Sequence, residues 1–100
     1  MEYDLNLIEK AANELERKGK YEDSIKLYLY MAAGDDSLDG GYIGKRLGEL
    51  YEATNDLHAA VYWYGRAVDE NPEVRVDCKE ALERLRHVGI RDIVSSFEEK

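Results

Sequence analysis

The sequence predicts an all-α fold in which six helices pair into three antiparallel hairpins and stack as an α-solenoid. Three observations lead there. Apolar residues recur at the three-and-four spacing of a helix face, the breaks between stripes are short, and the pattern returns after 34 to 36 residues.

Leu5, Ile8, Ala11, Ala12 and Leu15 form the first stripe, with Asp4 placed to cap its start and Gly19 its stop. Tyr21, Ser24, Ile25, Tyr28, Met31 and Ala32 form the second, which ends at Gly34. The turn around Gly19-Lys20 leaves room only for a tight helix hairpin. A polar loop, Gly34 to Gly41, precedes a third helix from about Gly41 to Ala53, with Ile43, Leu47, Gly48, Leu50 and Tyr51 on its apolar side. Thr54-Asn55-Asp56 breaks it, and Asp56 caps a fourth helix carrying Leu57, Ala60, Val61, Tyr64, Ala67 and Val68. Asn71-Pro72 reads as the start of a fifth helix, with the proline in its first turn and Cys78, Ala81, Leu82 and Leu85 inward. Beyond Gly89, a last stripe of Ile90, Ile93, Val94 and Phe97 is expected to cover Leu82 and Leu85 as a cap. The chain is thus one domain, with hairpins over about 5–34, 41–70 and 72–98.

The hairpins superpose. Gly19, Asn55 and Gly89 mark equivalent turns, spaced 36 and 34 residues apart. Ala12 then matches Gly48 and Leu82, Leu15 matches Tyr51 and Leu85, Ser24 matches Ala60 and Val94, and Tyr28 matches Tyr64. Small residues let the two helices of a hairpin approach, and the large aromatics fill the space towards the next hairpin. The turn needs a residue that tolerates a left-handed backbone, hence glycine or asparagine.

Leu47-Gly48-Glu49-Leu50-Tyr51, followed by Ala60, Tyr64, Ala67 and Pro72, resembles one nearly complete unit of the tetratricopeptide repeat family. Asn55 stands where the family's turn glycine is usual. The first hairpin resembles a poorer unit, keeping Ala12, Gly19, Tyr21 and Tyr28, and the third departs most, with Arg91 and Glu98 at aromatic places. The long loop, Trp63-Tyr64 and the Leu-Gly-x-Leu-Tyr string are similar to the Sel-one-like variant. The resemblance spans about residues 5 to 98. It implies a right-handed solenoid of about 2.5 to 3 repeats whose first helices line a concave, peptide-binding groove.

Composition narrows the function. The chain is 44% hydrophobic and 36% charged, too apolar for a disordered tail, yet no apolar run approaches the roughly 20 residues of a membrane span. A net charge of −8 without a Lys/Arg-rich stretch argues against nucleic acid. Met1-Glu2-Tyr3-Asp4 lacks a signal-like start, and the lone Cys78 suits a reducing compartment, so the cytoplasm is expected.

Chemical motifs are incomplete. Gly40-Gly41-Tyr42-Ile43-Gly44-Lys45 has Asp39 where a phosphate loop needs glycine and Arg46 where it needs Ser or Thr. Asp35, Ser37, Asp39 and Gly40 open like a calcium loop, but Arg46 stands where the closing glutamate belongs. Cys78 lies on an inward stripe, and His58 and His87 have no metal-binding spacing. No enzyme activity, cofactor or metal is expected.

The resemblance instead places a partner-binding groove on Asn6, Glu9 and Asn13, then Tyr42, Lys45, Arg46 and Glu49, then Lys79, Glu83 and Arg86. Glu16 and Glu52 fall on the same face. A family subclass grips chaperone tails with basic residues and asparagines. Asn13 fits that set, whereas Glu9, Arg46, Val76 and Glu80 do not. Lys45, Arg46 and Lys79 are expected to form a basic cluster beside Glu9 and Glu49, which points to a protein or peptide partner of mixed charge. The alternative is a self-associating structural unit, because three hairpins are near the minimum for a stable stack and could pair through their ends as a homo-oligomer.

Overall fold

The computed structural model describes residues 4–88 and 90–98. Its described residues form six helices and no strand: α1 (Leu5–Arg17), α2 (Tyr21–Ala33), α3 (Tyr42–Ala53), α4 (Leu57–Glu70), α5 (Val76–Arg86) and α6 (Ile90–Glu98). From α1 to α5 each helix packs on its neighbours in sequence, giving an all-α helical-repeat solenoid. The Cα radius of gyration is 15.5 Å, against about 13 Å for a compact domain of this length, and the extents are 59 × 30 × 20 Å.

The repeat is visible in the turns. After α1 the Lys20 N–H donates to the Leu15 carbonyl at 2.8 Å and the Gly19 N–H to Glu16 at 2.9 Å. After α3 the Asp56 and Asn55 N–H groups repeat both bonds, to Tyr51 at 2.8 Å and Glu52 at 2.9 Å. Both turns hinge on one left-handed residue, Gly19 at φ +78° and Asn55 at φ +63°, which returns orphan carbonyls of the helix end to a donor. Asp4 and Asp56 cap α1 and α4 through their side chains, as expected. The equivalent turn at Gly89 lies outside the described residues, as do Met1 to Tyr3 and the Arg91 side chain.

Small residues sit where the repeat placed them. Ala12, Ser24 and Ala60 are buried, and the Ser24 hydroxyl donates to the Ala12 carbonyl at 2.7 Å, closing the first hairpin. Gly48 meets Tyr64: a Cβ there would lie 2.6 Å from the Tyr64 ring. The glycines of the loop-like motif serve packing too, since a Cβ on Gly44 would lie 2.9 Å from the Trp63 carbonyl oxygen. That close approach of α3 to α4 accounts for a stretch that superficially suggested phosphate binding.

Two cores result. One joins Ile8 and Ala12 of α1, Ile25, Tyr28 and Met31 of α2, and Ile43, Leu47 and Leu50 of α3. The other joins Ala60, Tyr64 and Ala67 of α4 to Cys78, Ala81 and Leu85 of α5. Tyr51 packs against both. Burial pushes the Cys78 thiol up to about 11, so it is a core side chain and not a nucleophile at neutral pH.

The connection from α2 to α3 is more than a polar loop. Leu38, Asp39, Gly40 and Gly41 carry φ values of +53°, +52°, +62° and +86°, four left-handed residues in succession. Leu38 is fully buried in the first core, and that burial holds a backbone that L-residues otherwise avoid. The Asp35 carboxylate accepts from the Ser37 N–H and the Asp39 N–H, each at 3.0 Å, and from the Ser37 hydroxyl at 2.6 Å. Its oxygens thus brace the loop from within.

Three expectations need correction. The fifth helix begins at Val76, four residues beyond Pro72; Pro72 holds Asn71 extended (φ −152°), and the Arg75 N–H closes a separate turn onto the Asn71 carbonyl at 2.9 Å. Leu5 and Val61, placed on inward stripes, are 58% and 39% exposed. The α6 stripe is exposed as well, Ile90 at 55%, Ile93 at 59%, Val94 at 48% and Phe97 at 70%, whereas Leu85 is buried in the cluster with α4. Among the described residues, the α6 stripe thus stays exposed and α5 finds its buried apolar partner in α4.

Candidate functional site

The leading helices α1, α3 and α5 carry the expected groove residues, and charge pairs join them side by side. Arg46 of α3 bonds the Glu16 carboxylate of α1, and its other nitrogen donates to Glu49 at 2.7 Å. Its guanidinium lies 5.7 Å from the centre of the Tyr28 ring, with Nε 3.4 Å from the Tyr28 hydroxyl oxygen. That hydroxyl donates to Asn13 Oδ1 at 2.8 Å. Burial carries the Tyr28 pKa up to about 12, so it stays a donor through the physiological range. Between α3 and α5, Lys45 Nζ lies 2.8 Å from the Asp77 carboxylate.

The same device recurs one repeat later. Tyr64, equivalent to Tyr28, donates its hydroxyl to Glu52 at 2.7 Å, and Glu52, equivalent to Glu16, accepts from both Arg84 terminal nitrogens at 2.7 and 2.9 Å. Burial raises the Tyr64 pKa, and the Glu52 carboxylate beside it raises it further. Each tyrosine therefore donates to a polar side chain of its own hairpin, Asn13 or Glu52, and in each repeat an arginine of the next leading helix binds the equivalent acid, Glu16 or Glu52. Sequence reasoning assigned Glu16 and Glu52 to the ligand face and passed over Arg84 and Asp77. The spacing of 36 residues, shared by the Glu16/Glu52 and Tyr28/Tyr64 pairs, was the available signal.

These pairs change the reading of the groove. Arg46 and Lys45 hold helices together, so the basic cluster expected from Lys45, Arg46 and Lys79 is largely neutralised by Glu16, Glu49 and Asp77. Lys79, Glu83 and Arg86 are exposed on α5, and Glu83 lies 3.8 Å from Arg86 and 3.6 Å from His87. Asn6 and Asn13 are exposed on α1, Glu9 and Tyr42 half-buried. Beside them, a cleft of about 550 Å³ opens between the start of α1, the end of α2, the Asp35–Asp39 loop and the start of α3. Leu5, Met31, Tyr42 and Ile43 line it with Glu9, Asp35 and Asp39, and no lysine or arginine does among the described residues. Sequence reasoning assigned Asn6, Glu9 and Tyr42 of this lining to the groove and gave Leu5, Met31 and Ile43 to the apolar stripes.

The ties to α5 depend on pH. The hydrogen bond from Arg84 holds the Glu52 carboxyl below its ordinary value of 4.5, and the one from Lys45 holds Asp77 below 3.8. A depressed carboxylate stabilises the fold above its unfolded value and loses that contribution as pH falls through the folded one. The melting temperature should accordingly fall as pH drops below about 4.5. A Glu52→Gln/Asp77→Asn variant should start lower at pH 7 and vary less over that range; parallel curves would refute the assignment.

Over 56 residues the chain is similar to the TPR repeat-containing protein YpiA of Bacillus subtilis (strain 168). The identity is 30%, and the match covers 56% of this chain and 13% of that protein. The chain thus spans a small part of the length of this relative. No family model and no solved structure matches. The similarity supports repeats of the tetratricopeptide type, in agreement with the repeated turns and buried small residues. No helix among the described residues is long and apolar enough to cross a membrane.

Proposed function

We propose that this domain is a protein-interaction module that receives a peptide segment of a partner protein across the face of α1, α3 and α5, without chemistry of its own. The observation that carries the reading is the alignment of the leading helices by the Arg46–Glu16 and Lys45–Asp77 pairs, which offers one continuous polar surface. The similarity to a TPR repeat-containing protein supports it. Asn6, Glu9, Asn13, Tyr42, Glu49, Lys79, Glu83 and Arg86 meet the ligand, while Lys45 and Arg46 position the helices that present them. The long α2–α3 connection and Trp63-Tyr64 keep the Sel-one-like variant as the finer family reading. The lone cysteine keeps the cytoplasm as the expected compartment.

The test is retention of a partner captured from native lysate. A Tyr42→Ala/Lys79→Glu variant should lose most of it, roughly fivefold or more, with an unchanged helical signal; exposed pairs contribute modestly and a half-buried aromatic more. Tyr62→Ala/Arg66→Ala, on α4, should retain it. Equal retention by the groove variant and the parent would remove the groove from the account.

A second reading, self-association, is favoured by the exposed α6 stripe. If two copies pair through it, a chain ending at Val88 should lose the concentration-dependent mass of the parent in light scattering, while its melting temperature barely moves. This reverses the expectation from a covering cap, under which truncation would expose Leu85 and cause aggregation. Monomeric mass for the parent at all concentrations would exclude pairing.

A further inference from the structure

The cleft beside α1 has a character of its own, and we propose that it receives a bulky apolar side chain of a partner segment that carries a lysine or arginine next to it. The apolar group enters between Leu5, Met31 and Ile43, and the cation meets Glu9 and Asp39. This deepens the reading of the leading-helix face as a peptide-binding surface and rests on it.

Four observations carry the assignment. The cleft's volume of about 550 Å³ falls within the roughly 300–1,000 Å³ typical of ligand sites, and its apolar wall includes Leu5, 58% exposed. Among the described residues its charge has one sign. Glu9 and Asp39 have no ion pair among the described residues, Asp35 is braced by the loop but remains anionic, and the basic residues of α3 are turned to Glu16, Glu49 and Asp77. A segment bearing carboxylates would be repelled, so the mixed-charge ligand expected from the sequence gives way at this end to a basic one. Asn6 and Glu9 also front the α1 face that runs on to Asn13, so an extended chain can lie along α1 and end in the cleft. Lastly, the rim is preorganised. Leu38 is anchored in the core and Asp35 bonds the loop backbone, which fixes Asp39 before a ligand arrives and removes part of the ordering cost of binding.

The probe is a fluorescein-labelled ten-residue peptide with a central Leu-Phe pair flanked on both sides by Lys-Arg. Two controls replace the basic residues by glutamate, or Leu-Phe by serine. Amide shifts of the 15N-labelled domain should move at Leu5, Glu9, Met31, Asp39 and Tyr42 with the probe, and with neither control. Glu9→Gln/Asp39→Asn should weaken the probe about fourfold to twenty-five-fold, since each exposed pair is worth about twofold to fivefold, and the loss should shrink at high salt. Asparagine tolerates the left-handed backbone at position 39, so this variant keeps the loop. Equal binding of the glutamate peptide, or no shift up to millimolar probe, overturns the assignment. Shifts confined to Glu49, Lys79 and Glu83 overturn it and leave the groove reading standing, whereas shifts confined to Tyr62 and Arg66 sink both. Cleft shifts that follow protein concentration without peptide would show a second copy there instead, and also overturn it.

Discussion

Gly48→Leu should lower stability by more than about 3 kcal/mol, enough to move the melting temperature by roughly 12 °C or more in a domain of this size. A Cβ at position 48 would already meet three Tyr64 ring atoms at 2.6, 2.7 and 2.8 Å. Tyr64 cannot swing aside cheaply. It is buried between α3, α4 and α5, and its hydroxyl is tied to Glu52, itself held by Arg84. Gly48→Ala therefore should also destabilise, by about 1–3 kcal/mol, although alanine is the better helix former by about 1 kcal/mol. Gly65 supplies the contrast: it lies in α4, and a Cβ there would meet nothing within 4 Å. Gly65→Ala should raise stability by about 0.5–1 kcal/mol. Thermal melts of the three variants check both signs, and a stable Gly48→Ala would mean that the α3–α4 approach is looser than described.

Arg46→Met should cost about 1–3 kcal/mol, a partial version of the penalty for breaking a buried pair, because Glu16 and Glu49 regain water. The Arg46 side chain is 18% exposed and serves three helices, through Glu16 of α1, Tyr28 of α2 and Glu49 of α3. Burial works against its charge, yet the bonds to Tyr28 and Glu49 carry its pKa above the ordinary guanidinium value, so Arg46 itself stays charged. Lys45→Met should cost less than about 1 kcal/mol, since Asp77 is 47% exposed and water screens that pair. Denaturant melts separate the two, and a double-mutant cycle with Glu16→Gln isolates the tie. If Arg46→Met melts like the parent while ligand binding falls, Arg46 belongs to the ligand face after all.

Local chemistry made most of the fold legible. Gly19, Asn55 and Asp56 announced turns because only certain residues satisfy a helix end, and the equivalence of Tyr28 with Tyr64 fixed the repeat register. The site was less legible for reasons of distance. Lys45 and Arg46 read as free cations because their partners, Asp77 and Glu16, lie 32 and 30 residues away in sequence and meet them only once the hairpins stack. Leu38 gave no periodic signal, since it reaches the core from a left-handed loop and not from a helix stripe. The α6 stripe is amphipathic in sequence, but amphipathicity does not name the surface that answers it.

The division of the core has a consequence for where such a chain can be cut. The repeat unit read from the sequence is a hairpin, residues 41–70 for the central one, yet burial does not follow those boundaries. The first core takes α3 together with both helices before it, and the second joins α4 to α5. The central hairpin thus lends one helix to each core, while Gly44 and Gly48 against Trp63 and Tyr64, with Tyr51 on both cores, hold its own two helices together. Deleting it would dismantle two cores at once, and a cut inside it, between α3 and α4, would part Trp63 from the first core and Tyr51 from the second. The segment that repeats in the sequence and the segment that shares a core are displaced from each other by one helix.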